Sequence, residues 1–325
     1  METAVWLLWM FLGCGAVDEE IQAEVVQEVE PENIAVRLAL NWFPEPEFGG
    51  FYEGVLGGHY EKAGFDVEII PGGPGAPSLE LMTAGRVEVA ITSADDLLVK
   101  RAKGVNAVAA WPAFQMTPQG LMVHETGPAD FAAIGSLPDA QVAIEVGGAF
   151  QQFLWKKFSW DGIVKPVPYG GSVGPFLLDE SYIQQAYITS EPCAVRARGK
   201  EVRFLQGSEA GWNPYGSVLA FTDPPPSWAE AFVEATDQAW RAYMADPEQA
   251  NHLISQLNRE LSDSMLACIT EAQRPFIEGS DGIGTMTYGR WQELATTLVD
   301  LGLLPPGSSA LGAWRNDFDE EGAEQ

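Results

Sequence analysis

The sequence predicts an α/β protein with two lobes, mostly parallel sheets with flanking helices, and a ligand cleft between the lobes. Short apolar runs alternate with helical periods over residues 34–111, and the same alternation restarts near residue 141. Beyond the proline run at 224–226 the pattern changes to a series of long helices. Repeated strand–helix alternation favours parallel sheets covered by helices, and a chain of 325 residues can bury two cores.

Apolar periodicity and capping residues define the individual elements. In the first part, the predicted strands are 34–40, 65–71, 87–92 and 105–111, and the predicted helices are 51–64, 78–85 and 93–104. In the second part, the predicted strands are 141–146, 164–169, 183–189, 201–206 and 216–222, and the helices are 149–160 and 190–199. Long helices are predicted over 228–245, 247–261, 262–279 and 286–302. We expect the chain to cross between lobes near 120–123 and 218–222, which gives one lobe from 34–120 with 221–312 and another from 121–220.

The formal net charge of −28 argues against nucleic acid or an anionic membrane surface as a binding partner. Much of this charge lies near the termini, since residues 15–33 carry seven acids and no base and residues 316–325 carry five acids. Acidic runs of this kind are typical of solvated segments. We therefore expect an acidic linker over 15–33 and an acidic tail over 313–325.

The N-terminus has an apolar run over residues 4–12, followed by Gly13 and Cys14. That run suits the core of a signal peptide and is too short to span a bilayer. It resembles a bacterial lipoprotein signal, which predicts residues 1–14 as signal peptide and Cys14 as the lipidation site. Glu2 stands where such signals carry Lys or Arg, so a wrongly chosen start site or a merely apolar N-terminus is the alternative.

Cysteine and histidine usage offers no metal site. Apart from Cys14, the chain has Cys193 and Cys268, which could pair in an oxidising compartment although no local pattern joins them. The three histidines are scattered and no zinc-ligand spacing is present. We therefore expect neither a metal nor a cofactor.

The corner after the first strand reads LNWFPEPEFGGFY over residues 40–52 and is unusually aromatic. A solvent-facing loop does not need these rings, and a regular strand does not tolerate Pro44 and Pro46. The stretch is either a buried corner of the core or the wall of a pocket for a flat ligand. Trp42 is predicted to stack on a ligand, Phe51 and Tyr52 are predicted to be core, and Phe43 is left open.

Three further corners follow predicted strands, where ligands of open α/β sheets bind. Ser93 begins a helix as an N-cap or as a ligand contact, with Asp95 and Asp96 beside it making an anionic ligand less attractive. Gly147 and Gly148 form a tight turn or allow a ligand close to the backbone. Glu191 either caps a helix or accepts two hydrogen bonds from an amidine-like or amide edge, and Tyr187, Trp212 and Tyr215 are either core residues or stacking partners.

No catalytic set emerges from the sequence. The nucleotide motifs GxxxxGK[ST] and GxGxxG are absent, as is GxSxG, and no Ser or Cys has a sequence-local His and acid. Lysine is scarce, so an obvious Schiff-base candidate is lacking. Binding without chemistry is the economical interpretation.

Several stretches together resemble one family over about residues 34–300. They are LNWFPEPEFGGFY, GGHYEKAGFDVEII, TSADDLLVKRAKGVNAVAA, ITSEPCAVRARGKEVRFL and GWNPYGSVLAFT. The chain resembles the thiamine-pyrimidine-precursor group of periplasmic solute-binding proteins, which is related to sulfonate and riboflavin binders and to fungal pyrimidine synthases. This resemblance implies a type II periplasmic-binding-protein fold, an ABC permease and ATPase as partners, and an extracytoplasmic location with a lipid anchor. We expect a monomer.

The resemblance also implies site residues. The family's Asn/Asp-Trp-x-Pro segment matches Asn41, Trp42 and Pro44, its strand-to-helix serine matches Ser93, and its Glu-Pro segment matches Glu191 and Pro192. Phe48 stands where the family commonly has His, and the cysteine-rich iron-binding run of the fungal synthases is absent. The complete predicted ligand-binding set is Asn41, Trp42, Phe48, Ser93, Gln115, Gly147, Gly148, Tyr187, Glu191, Asn213 and Tyr215.

The function expected from these residues is uptake of a small, flat nitrogen heterocycle, such as a thiamine pyrimidine precursor or a flavin-like ring. Two alternatives stay open at this point. One is an enzyme of pyrimidine synthesis, which would need a reactive His or Lys facing the cleft. The other is a lipid-anchored sensory module without a transport role.

Overall fold

The computed structural model describes residues 33–279 and 282–316, which contain ten strands in two sheets. The first sheet holds β1 (Ile34–Ala39), β2 (Phe65–Ile70), β3 (Val89–Thr92), β4 (Val108–Phe114) and β10 (Gly216–Phe221). The second holds β5 (Gln119–His124), β6 (Gln141–Ile144), β7 (Lys165–Pro168), β8 (Gln184–Tyr187) and β9 (Val202–Gln206). Their strand orders are β2-β1-β3-β10-β4 and β7-β6-β8-β5-β9.

Helices cover both sheets. Those up to the middle of the chain are α1 (Gly49–Leu56), α2 (His59–Lys62), α3 (Ser78–Thr83), α4 (Ala94–Ala102), α5 (Phe131–Ile134), α6 (Ala149–Phe158) and α7 (Gly174–Leu178). The later ones are α8 (Glu191–Arg196), α9 (Ala229–Ala245), α10 (Glu248–Leu257), α11 (Asp263–Glu278) and α12 (Tyr288–Asp300), and short 3₁₀ turns occupy Pro46–Phe48 and Ser208–Ala210. Within the described ranges, no helix has both the length and the apolar character that a membrane crossing requires.

The predicted α/β class with mostly parallel sheets is confirmed. Strand β1 runs parallel to β2 and β3, and β6 runs parallel to β7 and β8. Each sheet contains one strand that opposes its neighbours, β10 in the first and β5 in the second. These two strands flank the segments by which the chain passes between the sheets.

Both crossings lie earlier than the sequence suggests. Strand β5 begins at Gln119 and β10 begins at Gly216, so the connecting segments are 115–118 and 207–215. The apolar run of β5 is short and bordered by polar residues, which hides it from a periodicity search, and the antiparallel β10 returns to the first sheet. The two crossings also contact one another, since the Thr117 amide donates to Asn213 Oδ1 at 2.9 Å.

Some predicted boundaries change near the chain ends. Residues 1–32 and 317–325 lie outside the described ranges, so the signal peptide, the lipidation of Cys14 and nearly all of both acidic segments stay predictions. The tail was expected to begin at 313, but Ala313 is buried and its carbonyl accepts from the Ala109 amide of β4 at 2.9 Å. The Arg315 amide donates back to the Ala109 carbonyl.

The glycine pair after the aromatic corner lets α1 approach α9. The predicted helix 51–64 begins earlier, at Gly49, and it is split into α1 and α2 by Gly58, which adopts a positive φ of 67°. A Cβ at Gly50 would lie 2.2 Å from the indole ring of Trp240, and one at Gly49 would lie 2.1 Å from the ring of Tyr243. Both aromatic rings are fully buried, so there is little room for either to move.

Replacing Gly50 with alanine should therefore destabilise the protein by about 1–3 kcal/mol through overpacking against Trp240. Urea unfolding of Gly50→Ala measures this change. Gly289→Ala is the matched control, because Gly289 is exposed in α12 and a Cβ there would meet nothing within 4 Å. Equal stability of the two variants would contradict the close approach of α1 to α9.

A disulfide links the two sheets through their helices. Cys193 of α8 bonds to Cys268 of α11, with their Cα atoms 5.8 Å apart. Helix α8 packs against β8 and β9 of the second sheet, whereas α11 packs against β4 of the first. The pairing that the sequence left open is therefore made, between residues 75 positions apart.

Removing this bond with Cys193→Ser and Cys268→Ser together should cost about 3–4 kcal/mol, because it closes a loop of 75 residues in the unfolded chain. Chemical denaturation of the oxidised chain, the reduced chain and the double variant measures the loss. The reduced chain and the variant should agree. Peptide mapping that finds both thiols free in the oxidised, folded protein would contradict the bond.

Candidate functional site

Acidic and phenolic side chains at the carboxyl ends of strands from both sheets interact electrostatically. Four corners contribute, those after β1, β3, β7 and β8, and each follows the carboxyl end of a strand. We call this group the acidic cluster and define it by six residues: Glu45, Glu47, Asp95, Tyr169, Tyr187 and Glu191. The members interact electrostatically across the two sheets.

Glu191 is held by the second sheet. Its Oε2 accepts from the Tyr187 backbone amide at 2.8 Å, and its Oε1 accepts a short hydrogen bond from the Tyr169 hydroxyl. Burial raises the pKa of Glu191, and these two hydrogen bonds oppose the rise because they favour the charged form. A hydrogen bond from the backbone of Glu191 itself acts in the same direction, so the carboxylate is oriented by protein groups, as a capping acid would be.

Glu45 and Glu47 come from the proline-broken corner after β1, and both side chains are about 8% exposed. Burial raises the pKa of Glu45 to about 8, Glu191 adds to the rise, and hydrogen bonds from Ser190 and Trp42 oppose it. Burial raises the pKa of Glu47 strongly, with Glu45 and Glu191 adding to the rise. The described residues provide no hydrogen bond or ion pair to the carboxylate of Glu47.

Asp95 and Ser93 form the corner after β3. Ser93 is the N-cap residue of α4, but its hydroxyl does not cap the helix amides. Burial raises the pKa of Asp95 to about 6, a hydrogen bond with Ser93 opposes the rise, and Asp96 and Glu145 add to it. Ser93 therefore hydrogen-bonds the carboxyl group of Asp95 in this structure and does not cap the helix.

The phenol of Tyr187 lies in the field of the surrounding carboxylates. Burial is the largest cause of its strongly raised pKa, followed by Glu47, Asp95 and Glu145 and then Glu191. A phenol with a raised pKa keeps its proton and remains a hydrogen-bond donor. Tyr187 thus offers an O–H among groups that accept.

Trp42 and Asn41 lie at the start of the aromatic corner. Trp42 is partly exposed and meets the ring of Phe43 edge-on, with centroids 5.4 Å apart. The carbonyl of Trp42 accepts from the Gly72 amide at 3.0 Å, which ties the corner to the segment after β2. The side-chain oxygen of Asn41 is buried without a hydrogen-bond partner.

Two aromatic residues of the predicted set lie in the cores. Phe48 is 0% exposed and packs in the first core with Phe51 and Tyr52. Tyr215 is 2% exposed, accepts from the Thr287 amide at 3.0 Å, and has the Arg290 guanidinium 3.8 Å from its ring centroid. Phe48 is enclosed in the first core and the Arg290 guanidinium covers the ring of Tyr215, so neither ring has an exposed face in this structure.

Gln115 and Asn213 belong to the crossing segments. Together with Met116 and Gly279 they line a separate pocket of about 460 Å³. Both amide atoms of Gln115 are buried without a partner, whereas Asn213 is held by Thr117. Within the described ranges, no hydrogen bond or ion pair joins these two residues to the acidic cluster.

Gly147 and Gly148 form the turn into α6. Gly147 has a φ of 87°, and its amide and carbonyl are bonded to Gln151 and Gln152 of the helix. This arrangement corresponds to the tight turn that the sequence allowed. Their approach to a ligand stays a prediction.

The described residues place no metal-ligand group and no histidine or lysine in the acidic cluster. In the described parts of the chain, no three or more His, Cys, Asp and Glu side chains are placed to hold a metal ion. His124 Nε2 is engaged by the carbonyls of Phe176 and Asp179 at 2.9 and 3.0 Å. None of the histidines or lysines in these ranges takes part in the acidic cluster.

Sequence comparison decides the family. The family model described as NMT1/THI5 like matches residues 45–250, which includes both Glu45 and Glu191. The chain belongs to the NMT1/THI5-like family. No curated protein matches it in sequence.

Solved structures similar to this NMT1/THI5-like protein share its fold. The alkanesulfonate-binding protein SsuA from Xanthomonas axonopodis pv. citri, bound to MOPS, has a TM-score of 0.66 at 13% identity, covering 89% of this chain and 100% of that one. A zinc-bound ligand-binding component of an ABC-type import system from Staphylococcus aureus gives 0.63 at 14% identity, covering 90% and 100%. A Candida albicans protein with the generic periplasmic binding protein fold gives 0.58 at 14%, covering 87% and 96%.

Sequence reasoning missed Glu45, Glu47 and Tyr169 in this NMT1/THI5-like protein. Glu45 and Glu47 stood in the corner that drew attention for its aromatics, and their alternation with Pro44 and Pro46 was the available signal. Tyr169 directly follows β7, so its place at a strand end could have identified it.

The raised carboxyl pKa values predict a pH-dependent stability. The folded NMT1/THI5-like protein keeps protons on Glu45 up to about pH 8 and on Asp95 up to about pH 6, which the unfolded chain releases at lower pH. The free energy of unfolding should therefore fall between pH 5 and 8, by about 2–4 kcal/mol. Glu45→Gln should flatten this fall, as followed by urea unfolding across that range.

Glu230→Gln is the control, since Glu230 is exposed on α9. It should leave the wild-type slope in place. Parallel curves for Glu45→Gln and the wild type would contradict the assignment of bound protons to this cluster.

Proposed function

We propose that this chain is the solute-binding component of an ABC importer, with its ligand held between two lobes built on the two sheets. The observation that carries the proposal is the meeting of strand-end corners from both sheets, in which Glu45 and Glu47 interact with Glu191. A cleft between lobes collects strand ends from both sides and excludes water when it closes. The solved structures with this fold include ligand-binding components of import systems, which agrees with such a role.

The ligand of this proposal is a small, flat nitrogen heterocycle. Trp42 would stack on its ring, which contributes about 1 kcal/mol beyond burial. The unpartnered oxygen of Asn41 and the carboxylate of Glu191 would accept from its polar edge. Tyr187 would contact the ligand from the side of the second sheet.

Partners and location follow from the same proposal. The receptor of an ABC importer works outside the cytoplasm, together with a permease and an ATPase. Lipidation at Cys14 would anchor this chain to the membrane. We propose that it is a monomer. A role in pyrimidine synthesis is not favoured, because no histidine or lysine in the described ranges takes part in the cluster. Adjacent genes for a permease and an ATPase would distinguish transport from a sensory role.

The proposal predicts that at least one flat nitrogen heterocycle raises the melting temperature of the full chain. Differential scanning fluorimetry with pyrimidines, flavins, sulfonates and amino acids measures the shift. Trp42→Ala should lower the affinity for that heterocycle about fivefold or more, because the stacking contact is lost. Tyr288→Ala is the control, because Tyr288 is a 52% exposed aromatic residue of α12, outside this corner.

A thermal shift with an aliphatic sulfonate, together with none for any heterocycle, would overturn the ligand class. A wild-type response in Trp42→Ala would remove Trp42 from the binding wall.

A further inference from the structure

A covalent bond joins helices that belong to different sheets. Cys193 lies in α8, which packs against β8 and β9 of the second sheet, and Cys268 lies in α11, which packs against β4 of the first. Cys193 is buried, and Cys268 is partly buried against the same core. The disulfide therefore fixes one point among the helices of the second sheet to one point among the helices of the first.

Helix α11 also contacts the segment by which the chain first passes between the sheets. The Phe276 carbonyl accepts from the Gln115 amide at 2.8 Å and from the Met116 amide at 3.1 Å. Cys268 precedes Phe276 in the same helix, at a distance of about 12 Å given the rise of about 1.5 Å per residue. The disulfide thus lies well away from the crossing, so a rotation of the sheets about the crossing would move α8 relative to α11.

That separation makes the bond an effective restraint on rotation. The Cα atoms of Cys193 and Cys268 are 5.8 Å apart, and disulfides rarely extend beyond about 6.8 Å between these atoms. An extension of about 1 Å at about 12 Å from the crossing corresponds to a rotation of about 5° in the direction that separates α8 from α11. A larger rotation in that direction requires the bond to be broken.

Two other contacts between the sheets are non-covalent. The Lys156 ammonium of α6 donates to the Asp300 carbonyl at the end of α12. At the segments after β2 and β7, a Cβ at Gly171 would lie 4.0 Å from Pro74. An exposed hydrogen bond is readily exchanged for bonds to water, and a single van der Waals contact is weak. The covalent restraint between the sheets is therefore on the side of α8 and α11.

We infer that the disulfide between Cys193 and Cys268 is a tether that limits how far the two sheets rotate apart, so that the oxidised chain keeps nearly this arrangement without a ligand. The inference goes beyond the proposed solute-binding role, because it concerns the ligand-free chain. Where it rests on that role, a tethered receptor loses less binding free energy in bringing its two sheets together around a solute.

Distances between two nitroxide labels, measured by pulsed electron paramagnetic resonance on the ligand-free full chain, test the tether. One label replaces Leu178 of α7, 91% exposed on the side of the second sheet, and the other replaces Leu56 of α1, 43% exposed on the side of the first. Azide-bearing amino acids carry the labels, so no further cysteine is introduced. Replacing Cys193 and Cys268 together with alanine should broaden the distance distribution at least about twofold, because the sheets can then rotate about the crossings. The wild-type chain reduced with dithiothreitol, which becomes oxidised as the disulfide opens to two thiols, should match the variant.

A second label pair, at Leu56 and Leu257, is the matched control. Leu257 is 50% exposed at the end of α10, which packs against α1, so this distance lies within one half of the molecule. It should stay the same in the oxidised chain, the reduced chain and the variant, which also shows that each is folded.

The inference predicts that the distribution between Leu178 and Leu56 in the oxidised wild-type chain is as narrow as that of the control pair. A broad distribution in that oxidised chain would overturn it, whatever the variant does. Equal widths before and after loss of the bond, with the control pair unchanged, would also overturn it. Because these distances are measured without a ligand, failure to find any bound solute would overturn the proposed function alone.

Discussion

Burial of carboxyl groups is the constraint on which the strand-end corners of this molecule depend. Glu45 and Glu47 come from the first sheet and Glu191 from the second, and the charge of Glu191 adds to the raised pKa of both Glu45 and Glu47. Burial raises the pKa of each of these groups, because a buried carboxylate is poorly solvated and its protonated form is favoured.

The surrounding fold keeps these groups buried. Buried rings pack beneath the proline-broken corner, with Phe48 and Phe51 fully enclosed, so the backbone that carries Glu45 and Glu47 cannot easily withdraw. On the other side, the disulfide at Cys193 anchors the short helix that begins at Glu191. Packing and a covalent bond thus offset the unfavourable free energy of burying these carboxyl groups, as is usual for functional sites.

Much of the fold was predictable because its signals are local. Strand–helix alternation and caps located nearly every element, and parallel strand ends indicated the corners that meet. Phe48 and Tyr215 could not be assigned, because a ring beside a corner looks the same in sequence whether it faces a cleft or a core. Glu45 and Glu47 were overlooked because burial of a carboxylate depends on what packs over it, here elements distant in sequence. The pairing of Cys193 with Cys268 likewise depends on helix packing.

Helix α11 connects two features that lie far apart along the chain. Its Cys268 is bonded to Cys193, and its Phe276 carbonyl accepts from the Gln115 and Met116 amides of the first crossing. Helix α11 therefore holds the second sheet through the disulfide to α8, and it holds the first crossing through two backbone hydrogen bonds. The segments after β2 and β7 also approach one another, since a Cβ at Gly171 would lie 4.0 Å from Pro74. Because the disulfide is covalent, any change in the angle between the two sheets must keep α8 beside α11.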